Sequence, residues 1–399
     1  MAANYPYLIF LLAILFLLFS KRVMSNTLWR ATMTPLASII GSGFLVAAPL
    51  LNHISGSKAP FVMLGLCIAS FSIGEVIRWN ILNLEPLLEN KAAARSILLI
   101  EKLGNWALAF AYILSITYYL YLFSSFLLKA IGLHNLILEK SITTIVLWPI
   151  AYFGHQNGLS SLEKIEAISV NLKLSFILTF ILGLIAFNYN NQIITAQETE
   201  SLLRKDSIGV ILGLLIMVQG FETSRYLGEK YSPSIRIKSM RYSQVLSTAI
   251  YLIFIILFVP IFKIYPMPSQ ISETSVIDIG KYVFSFGPIL LFLAAISSQL
   301  SAAVADLGGS GGLFSELTEK KITSKNAYLV IAIISTILIW SFNIFSIISF
   351  ASKAFALYYF FQSLSSFIFF KNKNIEKTVF SMFCLIICLS VLIFGKSFE

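Results

Sequence analysis

Few residues in this chain can do chemistry, and those that can sit in apolar surroundings. Gly41-Ser42-Gly43 interrupts one apolar stretch, and Gln219-Gly220-Phe221-Glu222 interrupts another. A glycine inside a helix costs about 1 kcal/mol, so both places should free backbone groups. At membrane depth such groups are tolerated only where they line a cavity or find internal partners. A half-helix that starts there aims a positive dipole end at the membrane centre, which suits a carboxylate, and the half-helix that ends there offers carbonyls to a cation. Lys173 lies in a third apolar stretch; in a fourth, Ala294 precedes Ser297, Ser298 and Ser301, three hydroxyls at one depth. Ionisable residues in such settings default to function. This is the chemistry of reversible binding of a charged solute and an ion.

Covalent catalysis would need intramembrane His, Asp or Ser–His clusters, and His53, His134 and His155 are scattered. Cys67, Cys384 and Cys388 lack the flanking His or second Cys pair of a metal site. The glycine-rich run 306–316 is not followed by the Gly-Lys-Ser/Thr of a phosphate loop. No catalytic residue, metal site or cofactor is expected.

The elements that must hold these residues are membrane-spanning helices. Of 399 residues 57% are hydrophobic and 12% charged, about half the charge of a soluble chain. The apolar residues come in blocks long enough to cross a bilayer. Twelve spans are expected, at 5–20, 32–51, 60–79, 104–128, 138–154, 167–188, 206–228, 243–264, 283–306, 326–342, 344–370 and 377–395. The first is short, its basic residues follow rather than precede the apolar run, and a cleaved signal peptide is the weaker reading. The fifth carries Pro149 and is interrupted by Glu139 and Lys140.

The net charge of +10 is an orientation signal rather than a mark of nucleic-acid binding. Alternate loops, beginning with the one after the first span, hold most of the 29 basic residues, and deleting the fifth span destroys that bias. The expected location is the inner membrane of a bacterial cell, with both termini outside and the second span entering from the cytoplasm. Residues 80–103 read as an interfacial helix or loop. The two interrupted spans are five apart, so they run in opposite directions. Glycine breaks at matching positions of two inverted halves point to the binding site of a secondary transporter.

At the same places the chain resembles the amino acid–polyamine–organocation (APC) superfamily of permeases. "IIGSGFLVAAP" is similar to the first core helix of that family and "QGFETSRYLGEKYSP" to the sixth. "SFSIGEVIRW" around Glu75 resembles the second, and "NLKLSFILTFIL" with Lys173 the fifth. The resemblance implies an all-α polytopic membrane protein of the leucine-transporter fold. Its five-plus-five inverted core would comprise 32–188 and 189–370, with 1–31 and 371–399 peripheral. It implies a substrate site of Ile40, Gly41, Ser42 and Gly43, the last three presenting N–H groups to a carboxylate. Val218, Gln219, Gly220 and Phe221 would face the amino group and side chain, with Phe221 an aromatic lid and Glu222 beside them. The family's glycine-rich stretch after the second core helix is replaced here by "NILNLEPLLEN", which leaves room for a divergent substrate.

Two coupling ions compete. Ala294, Ser297, Ser298 and Ser301 resemble the eighth core helix of sodium-coupled relatives. Lys173 resembles the lysine that takes the cation's place in sodium-independent ones, and a buried amine can alternate between charged and neutral forms. Proton coupling or exchange is placed ahead of sodium. Arg30 and Asp306 are expected to pair as an inner gate, and Glu222, Arg225 and Glu229 to pair along one helix face. The aromatic run Tyr112, Tyr118, Tyr119 and Tyr121 reads as packing ahead of a substrate path. Lys353 has no obvious partner. The expected function is a secondary transporter of an amino acid or related small amine, moved with H+ or Na+; a sodium symporter of another solute, a channel and a membrane enzyme are the rivals. Oligomeric state is not legible.

Overall fold

The structure, a computed structural model, describes residues 5–41, 43–133, 135–191, 207–228, 230–265 and 275–396. Ser42, His134 and Glu229, singled out above, lie outside that set. Among the described residues all regular elements are helical. The main helices are α1 (Tyr5–Leu18), α2 (Thr27–Ile39), α3 (Gly43–Ser55), α4 (Ala59–Asn83), α5 (Arg95–Ala130), α6 (Leu136–Asn157), α7 (Leu159–Asn190) and α8 (Ser207–Gly213). Then come α9 (Pro233–Ile264), α10 (Ser275–Val283), α11 (Gly287–Leu317), α12 (Ser324–Ser341), α13 (Ile344–Phe370) and α14 (Ile375–Phe394).

The expected spans fall on one helix or two, except 206–228, whose described residues form α8 and two tight helical turns. Nine helical stretches of the described residues are long and apolar enough to cross a membrane. α1 is too short to be among them, α13 is not among them, and Gly43–Asn83 is one stretch, α3 followed by α4. The starts follow local chemistry. Asn26, Asn135, Thr323, Asn343 and Asn374 each cap a helix by accepting a hydrogen bond from a first-turn backbone N–H, which satisfies a donor the helix cannot. Pro60, Pro233 and Pro288 enter first turns, where a missing N–H costs nothing. The interfacial stretch resolves into the end of α4, a short helix Glu85–Glu89 and the first turns of α5.

The core is layered around α5, α7 and α11, which pack on one another's neighbours: α5 against α13 and α11, α11 against α7. α5 is buried along most of its length, whereas α6 and α14 are mostly exposed to the outside. That explains how α6 tolerates Pro149, Glu139 and Lys140: it is a peripheral helix whose Glu139 lies in the first turn. The free thiols of Cys67, Cys384 and Cys388 are all buried, in keeping with packing roles.

Candidate functional site

Both glycine interruptions are real breaks. α2 ends at Ile39, Ile40 leaves the helix with φ −85° and ψ 53°, and α3 begins at Gly43. In the other span two tight helical turns, Leu214–Val218 and Phe221–Tyr226, are separated by an extended Gln219 and by Gly220 at φ 113°. The breaks meet. A Cβ on Gly43 would lie 2.9 Å from the Met217 Cα, and a Cβ on Gly220 would collide with the Ser38 side chain. Gly220→Ala therefore adds a steric clash to a backbone conformation that costs an ordinary residue about 1–3 kcal/mol. Its purified protein should melt several degrees lower and transport poorly, as thermal unfolding and uptake would show.

Two of the carbonyls released where α2 ends are taken by one side chain. Lys173, on α7 and fully buried, donates to the Ala37 oxygen at 2.8 Å, the Ile40 oxygen at 2.7 Å and Ser301 Oγ at 2.9 Å. All three ammonium donors are thereby used. Snorkelling toward the cytoplasmic interface is excluded by this burial. Of the expected ion residues, Ser301 is in the lysine's shell and donates onward to the Ser298 oxygen. Ala294 and Ser298 are buried nearby on α11, and Ser298 Oγ has no hydrogen-bond partner among the described residues. Ser297 turns away and bonds its own helix at Leu293. Ser297, one residue before Ser298, therefore points to a different side of a helix with 3.6 residues per turn, and the three serines are not one cluster.

A second set of side chains holds the break from the α5 side. Tyr119 reaches the Ser38 oxygen at 3.5 Å and accepts from Gln219 Nε2 at 3.2 Å. Tyr251 of α9 spans both breaks, with its hydroxyl 3.0 Å from the Ile39 oxygen and 2.7 Å from the Met217 oxygen. The Val218 oxygen accepts from Ser70 at 2.9 Å. Phe221 is buried and stacks on Tyr359 with centroids 5.2 Å apart. Glu222 Oε2 accepts from the Gly220 N–H and from Tyr359, while its Oε1 has no partner among the described residues. Ile40, Gly41 and Gly43 lie on the α2–α3 side of this cluster and Val218, Gln219, Gly220, Phe221 and Glu222 on the other.

The gate pairings differ from expectation. Asp306 is buried and meets Ser38 and Ser115 rather than Arg30, which is exposed near the start of α2. Arg225 does not pair along its own segment with Glu222, because the tight turns after Gly220 lack the α-helical spacing that pairing needs. It reaches instead to Glu101 at 2.9 Å, to Glu85 at 3.4 Å and to Gln362. Arg236 closes the cluster on Glu85 at 2.7 Å and on the Arg225 oxygen at 2.6 Å. Beside it Glu75 pairs with Arg78 and Arg241. Lys353 is exposed.

Sequence reading passed over Ser38, Ser115, Tyr251, Tyr359, Glu85, Glu101 and Gln362. Tyr119 had a signal, its place in the tyrosine-rich run of α5. The serines and the other tyrosines carry none, since such a residue in an apolar helix reads as packing until its partner is known, and Glu85, Glu101 and Gln362 gain their role only from the fold that brings Arg225 to them.

With the geometry in hand, comparison places the chain among known transporters. The profile of the APC superfamily transporters matches residues 21–395. A protein of Aquifex aeolicus (strain VF5), described only as uncharacterized, is 40% identical over 400 residues, spanning 98% of this chain and 97% of its own. MhsT in complex with L-phenylalanine superposes with a TM-score of 0.63 at 13% identity, over 93% of this chain and 99% of its own. A Na+-coupled sialic acid symporter in a substrate-bound outward-open state gives 0.54 at 11% identity over 99% of each chain. The Eremococcus coleocola manganese transporter gives 0.58 at 10% identity, over 92% of this chain and 87% of its own. At these identities the structural matches speak for the fold, which is that of the leucine transporter.

Proposed function

This chain belongs to the APC superfamily of transporters, and on that premise we propose that it moves an amino acid or a related small amine by alternating access, coupled to protons or by exchange. It is an integral membrane protein and no enzyme. Residues 32–188 and 189–370 would be its two inverted halves, with the solute held between the breaks. The N-terminal end of α3 suits a carboxylate, and the Phe221–Tyr359 stack offers an apolar wall to a side chain.

The observation that carries the choice of ion is the Lys173 ammonium on the Ala37 and Ile40 carbonyls and the Ser301 hydroxyl. Two carbonyls and a hydroxyl are an oxygen set fit for a hard monovalent cation, and here a side-chain amine uses them. A proton arriving at or leaving that amine then does what binding or release of a metal ion would do to the end of α2.

The test is uptake into proteoliposomes from a mixture of labelled amino acids. Saturable accumulation driven by an inward proton gradient is expected, unchanged when choline replaces sodium. Accumulation that requires sodium would restore the sodium-symport alternative, and linear, non-saturating flux would indicate a pore.

A further inference from the structure

Asp306 is a buried carboxylate at the end of the broken α2. It sits on α11 with no exposed surface. One carboxylate oxygen accepts from Ser38 Oγ at 2.9 Å, on the last turns of α2, and the other from Ser115 Oγ on α5. The titratable groups facing it from the elements packed on α11 are few. They are Tyr112 and Tyr119 of α5 and Glu222 of the broken span. Lys173 of α7 lies across the end of α2, with Glu166 as its own acidic neighbour. Asp278 and Lys281 of α10 and Lys325 of α12 are exposed. The Tyr112 hydroxyl, one helical turn before Ser115, is buried with no hydrogen-bond partner among the described residues, and its ring lies over Gly309, one turn beyond Asp306.

The end of α2 is thus gripped from two sides by ionisable groups on different helices: Lys173 holds the carbonyls of Ala37 and Ile40, and Asp306 holds the hydroxyl of the intervening Ser38. We propose that Asp306 is a second proton-binding site of the transport cycle, whose occupancy sets how firmly α2 is held to α11. This rests on the proton-coupled reading above. A proton added to a carboxylate oxygen turns that oxygen from an acceptor into a donor. The hydroxyl that bonded it, Ser38 or Ser115, must then rotate from donor to acceptor, and a charge-assisted bond becomes a weaker neutral one. A weaker Ser38 bond loosens α2 from α11, while loss of the Lys173 proton removes one of the three donors that tie it to α7 and Ser301, so the two sites act on one moving element. The carboxylate accepts from two neutral donors, Ser38 and Ser115, rather than from a cation, an arrangement that leaves it able to take up a proton.

The experiment compares wild type and Asp306→Asn in proteoliposomes loaded with a pH dye and given a tritiated mixture of the protein amino acids. Two quantities are read: accumulation under an inward proton gradient, and exchange of internal for external label with no gradient. The ratio of accumulation to exchange should fall by on the order of tenfold in Asp306→Asn, the loss of one charge-assisted bond, and fewer protons should enter per substrate. An unchanged ratio and proton count would overturn the inference. If Asp306→Asn does not fold, the double variant Ser38→Ala/Ser115→Ala keeps the carboxylate and removes both donors. Its pH midpoint of uptake should be displaced by about half a unit or more, and an unmoved midpoint is the contrary result. Wild-type protein that accumulates nothing under a proton gradient overturns the proton-coupled reading and this inference with it. Wild-type accumulation with an unaltered Asp306→Asn protein overturns this inference alone.

Discussion

Lys173→Ala should abolish accumulation driven by a proton gradient. The substitution removes a charge that makes two bonds to backbone carbonyls and one to Ser301. Hydrogen bonds to charged groups contribute about 1.5–3 kcal/mol each. Losing them leaves the Ala37 and Ile40 oxygens buried without the donor they now have. The end of α2 would be released from α7, and transport should fall by at least about a hundredfold, the equivalent of two such bonds at the lower end of that range. Any residual flux should no longer follow pH. Uptake by Lys173→Ala that keeps the wild-type pH profile would remove the lysine from the mechanism. Added sodium offers a second reading: if the vacated carbonyls can hold that ion, sodium should raise the melting temperature of the variant and leave that of wild type alone.

The next largest effect is expected at Arg225. Its guanidinium is buried between Glu101, Glu85 and Gln362, and Glu101 already has one oxygen without a partner among the described residues. Removing one member of a buried ion pair costs about 3–5 kcal/mol because the other charge is left stranded. Arg225→Ala strands Glu101, whereas Glu85 keeps its pair with Arg236. These contacts tie the second half of the broken span to α5, α13 and the short helix after α4, on the side where α2 begins and α11 ends. Loosening them should open that side. A cysteine introduced near Gln362 should react with an aqueous thiol reagent faster in Arg225→Ala than in the native background, together with a lower melting temperature. Equal labelling rates would deny Arg225 a part in closure and leave it a purely stabilising role.

How much of this was legible beforehand follows from what each signal depends on. The spans rest on composition over windows of about twenty residues, so α9 and α14 could hardly be missed. The breaks rest on glycines that a helix interior penalises, so Gly41, Gly43 and Gly220 announced themselves. Lys173 stood out because an amine in an apolar block needs a reason to be there. Partnership was another matter. Arg30 and Asp306 read as a gate pair, and Arg225 as a partner of Glu222 and Glu229, because charge and sequence spacing were all there was to match, and spacing assumes an α-helix. After Gly220 the chain tightens instead, and Arg225 faces helices more than a hundred residues away in sequence. The serines on α11 failed for a related reason: depth along a helix was readable, but the side of the helix was not. Ser38, Tyr251 and Glu101 acquire meaning only from the fold that brings their partners in.

The close approach of Gly43 to Met217 bears on how the molecule moves. Where side chains separate two helices, a displacement of one is partly absorbed by rotamer changes, as slack is absorbed by a spring. Here backbone rests on backbone, and closely packed interiors transmit strain. The two broken spans therefore form a coupling with almost no play. A small rotation of one broken span is passed to the other through a joint with no side chain of Gly43 to cushion it.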